Sequence, residues 1–190
     1  MKKIVIFASG SGTNAENIIR YFKGTNTGTV VSVFTNNPNA KVIERVKNYE
    51  IPTEIFSKEE LYSSKVLQKL IGIAPDLIVL AGFLLKLPKS IVESYPNTII
   101  NIHPALLPKY GGNGMYGMNV HKSIVENKEK ETGITIHYVN ENYDEGNIIF
   151  QKKVTLLITD TAEVVAEKIH ELEQRYFPEV IEKLLIANHY

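Results

Sequence analysis

The sequence predicts an α/β fold: a mostly parallel sheet with helices on both faces, a C-terminal antiparallel hairpin and a long C-terminal helix. Three observations predict it. Short apolar, β-branched runs alternate with helical patterns through the first half of the chain, which is the signature of βαβ units. Two later strands are separated by only a short acidic turn, so they pair as a hairpin. The final segment, 161–185, keeps a helical pattern throughout.

The elements follow in order. KKIVIFA (2–8) reads as a buried strand, NAENIIRYF (14–22) as a helix, TVVSVFT (29–35) as a second strand and AKVIERVKNY (40–49) as a second helix. IPTEIFS (51–57) is a short strand. Ser57 and Glu60 then form a capping box for one helix over about 58–72. PDLIVLAGF (75–83) is the fourth strand, a short helix begins near LPKSIVESY, and NTIINIH (97–103) is the fifth strand. TGITIHYVN (132–140) and GNIIFQKKVTL (146–156) form the hairpin, NKEKET (127–132) is a solvated turn, and Pro178 is expected to disturb the last helix. The whole, residues 1–190, is expected to be a single domain of Rossmann-like type, long enough to bury a core without staples.

Composition narrows the function. The chain has no cysteine, which excludes disulfides and thiolate metal sites and suits a cytoplasmic location. The 21 acidic and 21 basic residues balance, so no basic face for nucleic acid is expected. No apolar run approaches the roughly 20 residues of a membrane span. The N-terminal apolar run enters a Gly/Ser loop too early for a signal peptide and reads as the first strand. The histidines, His103, His121, His137, His170 and His189, are scattered without metal-ligand spacing, so no metal is implied. His121 and His137 read as structural.

Two segments carry chemistry. ASGSGTNAENI follows the first strand and opens the first helix, with Gly10, Gly12 and Ala15 at dinucleotide-loop spacing. The second strand, however, ends FTNNPN, without the acidic residue that would hold a ribose. What remains is a helix N-terminus with close backbone access and the polar side chains Ser11, Thr13 and Asn14. It suits a single phosphate, beyond what a plain turn capped by Thr13 or Asn14 needs. The second segment is NTIINIHPALLPKYGG (97–112). Alternation puts Asn101 and His103 on one face of a strand, at its carboxyl end, where ligands bind in open α/β sheets. An amide donor and a titratable imidazole suit a carbonyl that gains negative charge on attack. The alternative is a satisfied core pair. The turn NENYDEG (140–146) offers Glu141, Asp144 and Glu145 as a carboxylate partner for His103, which would raise its pKa. Spacing leaves the choice among them open.

SGSGTN, PDLIVLAGF, NIHPALLPKY and YDEGNIIFQ, in this order, resemble the phosphoribosylglycinamide formyltransferases. These are folate-dependent enzymes of purine biosynthesis within the formyltransferase superfamily, and the resemblance covers nearly the whole chain. It implies transfer of the formyl group of 10-formyltetrahydrofolate to the amine of glycinamide ribonucleotide, without a covalent enzyme intermediate. It places the catalytic trio on Asn101, protonated His103 and Asp144, the last singled out by the glycine two residues on. It implies substrate contacts at Gly12, Thr13, Asn14 and Glu173. The folate pocket falls on Leu84, Leu85, Lys86, Leu87, Asn101, Asn140, Glu141 and Asp144, with Lys58 at a position usually held by arginine. Partners are then small molecules only, with no nucleic acid or membrane, and the chain a monomer or homodimer.

The chain departs from the family at GGNGMYGMNVH (111–121), several residues longer than in many members, and at Asn147, which replaces a common proline. The glycines at 111, 112, 114 and 117 make the longer loop permissive, either as a lid over ligand or as a static excursion. Methionyl-tRNA formyltransferase shares NIHPALLP but has a further C-terminal domain and lacks SGSGTN. Formyltetrahydrofolate hydrolase shares the trio but usually adds an N-terminal regulatory domain, whereas this chain starts at the first strand. A non-catalytic phosphosugar-binding module would not need the intact trio.

Overall fold

Side-chain alternation along the first strand, β1 (Lys2–Phe7), divides the core into two layers. Ile4 and Ile6 point to one layer, Val5 and Phe7 to the other, and all four are fully buried. A strand without a solvated face needs helices on both sides. The remaining elements supply them: α1 (Thr13–Lys23), β2 (Gly28–Thr35), α2 (Lys41–Lys47), β3 (Thr53–Ile55), α3 (Lys58–Tyr62), α4 (Lys65–Ile73), β4 (Leu77–Leu80), α5 (Lys89–Ser94), β5 (Ile99–His103), α6 (Met118–Glu126), β6 (Glu131–Tyr138), β7 (Ile148–Thr155) and α7 (Ala162–Ala187). The structure is a computed structural model and describes residues 1–142 and 144–187; Tyr143 and His189 lie outside the described residues.

The sheet order is β3-β2-β1-β4-β5-β6-β7. Strands β1 to β5 run parallel, β6 is antiparallel to β5, and β7 to β6. The mostly parallel sheet with a terminal hairpin is therefore as the sequence predicts. Apolar residues of α1, α2, α6 and α7 join the layer of Ile4, and those of α3, α4 and α5 join the layer of Phe7. The winding direction reverses between β1 and β4, and there a crevice opens beyond the carboxyl ends of the strands. Ser9 fastens its rim: its N–H donates to the Gly82 carbonyl (3.0 Å), and its hydroxyl donates to Asn36 Oδ1 (2.6 Å) while accepting from the Leu84 N–H (3.0 Å).

Three local expectations change. The helix expected over 58–72 is two helices, α3 and α4, although the Ser57–Glu60 capping box is present. Ser63 breaks it: its extended backbone and a hydroxyl that bonds both the Glu60 carbonyl and the Lys65 N–H compete with the helical pattern. The longer loop read over 111–121 ends sooner, because Met118 already begins α6. Finally, α7 passes through buried Pro178 without interruption. Proline has no N–H for the carbonyl four residues back, here Gln174. The Asn17 side chain, from α1, donates to that carbonyl at 2.7 Å. The defect in one helix is thus repaired by another.

Asn17→Ala removes that donor and leaves the Gln174 carbonyl without a partner. It should destabilise the protein by about 1–3 kcal/mol in chemical denaturation. An unchanged midpoint would mean that the Asn17 bond is not what lets α7 tolerate its proline.

Candidate active site

The crevice is a cavity of about 560 Å³ between the ends of β1, β4 and β5. Its first wall is the β1–α1 loop. Gly12 is the N-cap of α1 in a left-handed conformation (φ 75°), and a Cβ there would collide with the Val42 side chain. No side chain among the described residues caps α1, so Thr13 and Asn14 do not play the capping role considered for them. The first-turn amides, which have no intrahelical partners, therefore have no side-chain cap at the cavity wall. Asn14 instead ties α1 to α7. Its Nδ2 donates to Glu173 Oε2 (2.8 Å), and its Oδ1 accepts from Gln174 Nε2 (2.9 Å).

The second wall is β5 with the hairpin. Asn101 pairs with His137 in the β5–β6 register, and His103 with Thr135. Directly opposed side chains meet on one face, and Asn101 Nδ2 lies 3.1 Å from His137 Nε2. The His137 Nδ1–H donates to the Tyr138 carbonyl (2.8 Å), so in the neutral ring Nε2 accepts from Asn101. The turn after β6 then lowers Asp144 onto both residues. Its Oδ2 is 3.5 Å from His103 Nδ1 and accepts the Gly112 N–H at 3.0 Å; its Oδ1 is 3.5 Å from Asn101 Nδ2. His103 Nε2 lies 2.7 Å from the Tyr110 carbonyl, which can only accept, so Nε2 carries a proton.

Of the three carboxylates the sequence left open, Asp144 alone enters the cavity wall. Glu145 accepts from Asn142, and Glu141 pairs with Lys89 at 3.3 Å, both on the exposed side. Gly12, Thr13, Asn14, Leu84, Leu85, Lys86, Leu87, Asn140 and Glu173 all line the cavity, whereas Lys58 and Glu141 do not. Lys58 sits exposed in the first turn of α3. The 113–117 part of the glycine-rich loop also lines it, with Met115 packed on the core and Tyr116 52 % exposed.

Three further histidines, not assigned to the site from sequence, line the cavity: His121, His137 and His170. His137 was legible only through the β5–β6 register. His170 stands one helical turn before Glu173, and their side chains approach to 3.9 Å. The nearby Glu173 carboxylate raises the His170 pKa. His121 is buried, and its Nδ1 has no hydrogen-bond partner among the described residues. No group of three or more His, Asp or Glu side chains among the described residues is disposed to hold a metal ion, and no described helix is long and apolar enough to cross a membrane.

Electrostatics amend one expectation. Asp144 was expected to keep His103 charged. Burial instead pushes the His103 pKa below its ordinary value of 6.5, and the Asp144 carboxylate and Tyr110 carbonyl recover only part of the shift. A ring 3 % exposed loses more hydration than one carboxylate at 3.5 Å restores. For Asp144, burial pushes upward, but His137, His103 and the Gly112 N–H outweigh it and hold the carboxyl below the usual range. Burial thus works against charge on His103, whereas the neighbours of Asp144 favour its ionised form.

Comparison with known proteins shows the family of the chain. Residues 2–181 match the formyl transferase family. The chain is similar to phosphoribosylglycinamide formyltransferase of Bacillus subtilis, 35 % identical over 194 residues, covering 99 % of this chain and 97 % of that protein. It is 36 % identical over 187 residues to the chloroplastic protein of that name from Arabidopsis thaliana, covering 95 % of this chain. The chain spans 64 % of the Arabidopsis protein's length and 61 % of the Vigna unguiculata protein's. The crystal structure of phosphoribosylglycinamide formyltransferase from Bacillus halodurans superposes with a TM-score of 0.88 at 39 % identity, covering 97 % of this chain and 95 % of that one.

His121→Asn tests the desolvation of this cavity. Burial lowers the His121 pKa from 6.5, so the unfolded chain binds this proton more tightly, and wild-type stability falls as pH drops below that value. The variant lacks the group. Its stability relative to wild type should rise between pH 7.5 and 5 in urea titrations; a pH-independent difference would contradict the lowered pKa.

Proposed function

Because the chain belongs to the formyl transferase family, we propose that it transfers the formyl group of 10-formyltetrahydrofolate to the amine of N1-(5-phospho-D-ribosyl)glycinamide. The products are the formylated ribonucleotide and tetrahydrofolate, as in purine biosynthesis. One observation carries this reading: Asn101, His103 and Asp144 meet in the same cavity as the uncapped N-terminus of α1. A carbonyl-transfer centre and an anion cradle at opposite walls suit a phosphorylated amine meeting a formyl donor. The names of the relatives favour it over a folate hydrolase, a tRNA formyltransferase or a non-catalytic binding module.

The substrate phosphate rests on the amides of Gly12, Thr13 and Asn14, and Glu173, held by Asn14, binds the sugar. Anchoring there orients the amine, a large part of what a bimolecular transfer requires. The folate lies along Leu84–Leu87 and Asn140. The amine attacks the formyl carbon, and the carbonyl oxygen becomes an oxyanion. One Asn101 N–H is held by His137; the other, 3.5 Å from Asp144, is too far for a good bond and turns to the oxyanion. Neutral His103 uses Nδ1 to take the proton that the amine loses. Asp144 stabilises the resulting imidazolium, which returns the proton to the departing folate nitrogen. The bond from carbon to that nitrogen breaks as the new amide forms, and no proton is gained or lost overall. The protein works as a monomer or homodimer in the cytoplasm, on these small molecules alone.

Mixing enzyme, 10-formyl folate and glycinamide ribonucleotide, and following release of deformylated folate, tests the reaction; release that ignores the ribonucleotide would sink it. Asn101→Ala should lower kcat by about 10²–10³. The acid limb of the kcat profile lies below pH 6.5, where His103 takes up a proton. Asp144 raises the His103 pKa, so Asp144→Asn should move that limb to still lower pH as well as slow turnover. A limb that stays in place would remove His103 as the group being titrated.

A further inference from the structure

Tyr110 is a second, indirect part of the site. Its backbone is left-handed (φ 57°), which a residue with a bulky side chain adopts only when its surroundings hold it there. That conformation aims its carbonyl at His103 Nε2, at 2.7 Å. Two residues on, the Gly112 N–H donates to Asp144 Oδ2 at 3.0 Å. One short segment thus braces both partners of the imidazole–carboxylate pair.

What holds the segment is Glu129, which does not line the cavity. Its Oε1 accepts from the Tyr110 hydroxyl and from Lys109 Nζ, both at 2.9 Å. Glu129 is in turn placed by the end of α6. Lys128 is left-handed (φ 50°) and its N–H donates to the Val125 carbonyl, while the Glu129 N–H reaches the Ile124 carbonyl at 3.2 Å. That is a Schellman ending, which fixes the residue after the left-handed one. Hydrogen bonds from Lys109 and Tyr110 keep the Glu129 pKa low, and burial with Glu129 keeps the Tyr110 pKa high, so acceptor and donor hold their roles at neutral pH.

We propose that Glu129 is a positioning residue for formyl transfer: by holding the Tyr110 hydroxyl it keeps the Tyr110 carbonyl on His103 Nε2, and so fixes the ring tautomer that leaves Nδ1 free to take a proton beside Asp144. The tautomer follows from the carbonyl, because a carbonyl accepts only and the proton must sit on the nitrogen that faces it. If the segment relaxes, the proton can move to Nδ1, where it bonds Asp144 and removes the base. The catalytic consequence rests on the formyl-transfer reading, but the tautomer is a property of the protein alone.

Long-range ¹H–¹⁵N spectra of His103 read the tautomer directly, without substrate. Wild type should show the Nε2–H form. Glu129→Ala and Tyr110→Phe should each give a mixture with the Nδ1–H form. Each should also lower kcat roughly 10-fold, as loss of a partner behind a working group does, with both KM values within about twofold. Glu129→Gln, which still offers an amide oxygen to the hydroxyl, should restore most of the wild-type tautomer and rate. If Glu129→Ala fails to fold, Tyr110→Phe carries the test alone. A pure Nε2–H signal in folded Tyr110→Phe overturns the proposal whether or not the enzyme transfers formyl groups. Absence of turnover in wild type, with the tautomer shift present, overturns the reaction assignment instead.

Discussion

The grouping of Asn101, His103 and Asp144 depends on the antiparallel pairing of β5 with β6. That register sets His137 against Asn101 and Thr135 against His103, and then brings the following turn back over the same pair. A slip of one residue would send every side chain of β6 to the opposite face. Thr135 guards against it: its hydroxyl donates to the Ala105 carbonyl (2.7 Å) and accepts from the Leu107 N–H (3.0 Å) and from Gln151 (2.9 Å). β6 is thereby tied on both sides, to the loop after β5 and to β7.

The wall formed by the β1–α1 loop rests on a different contact, between α1 and α7. Asn14 and Asn17 reach from successive turns of α1 to Glu173 and to the Gln174 carbonyl and side chain. The same α1–α7 contact that accommodates Pro178 therefore also holds Glu173 at the cavity wall. The same bonds thus join α1 to α7 and fix this wall of the cavity, so neither helix can shift without disturbing it.

Burial decides the proton chemistry between the two ends. A carboxylate near a histidine suggests a charged ring when only their proximity is known. The structure adds the loss of hydration of a ring almost wholly enclosed, and that loss is the larger effect. Asp144 keeps its charge because three hydrogen-bonding or charged neighbours oppose the same desolvation. Burial thus disfavours charge on the ring, while the neighbours of Asp144 favour its ionised form.

The sequence by itself determined the sheet, its alternating helices and the hairpin, because hydrophobic period and turn composition are local properties. It also marked Gly12 and Asn101–His103, since a glycine-rich helix entry and two polar residues on one strand face are visible in a few consecutive letters. Spacing left Glu141, Asp144 and Glu145 open and the family resemblance chose Asp144; the tertiary structure shows why it is the one that lines the cavity, because all three lie in one turn and its path is set by β6. Only it joined His137 to Asn101 and His170 to the cavity, left Lys58 outside, and divided the helix at Ser63. The charge of His103 belongs with these. It depends on how much water the folded chain removes from around the ring, a quantity that no spacing of residues encodes.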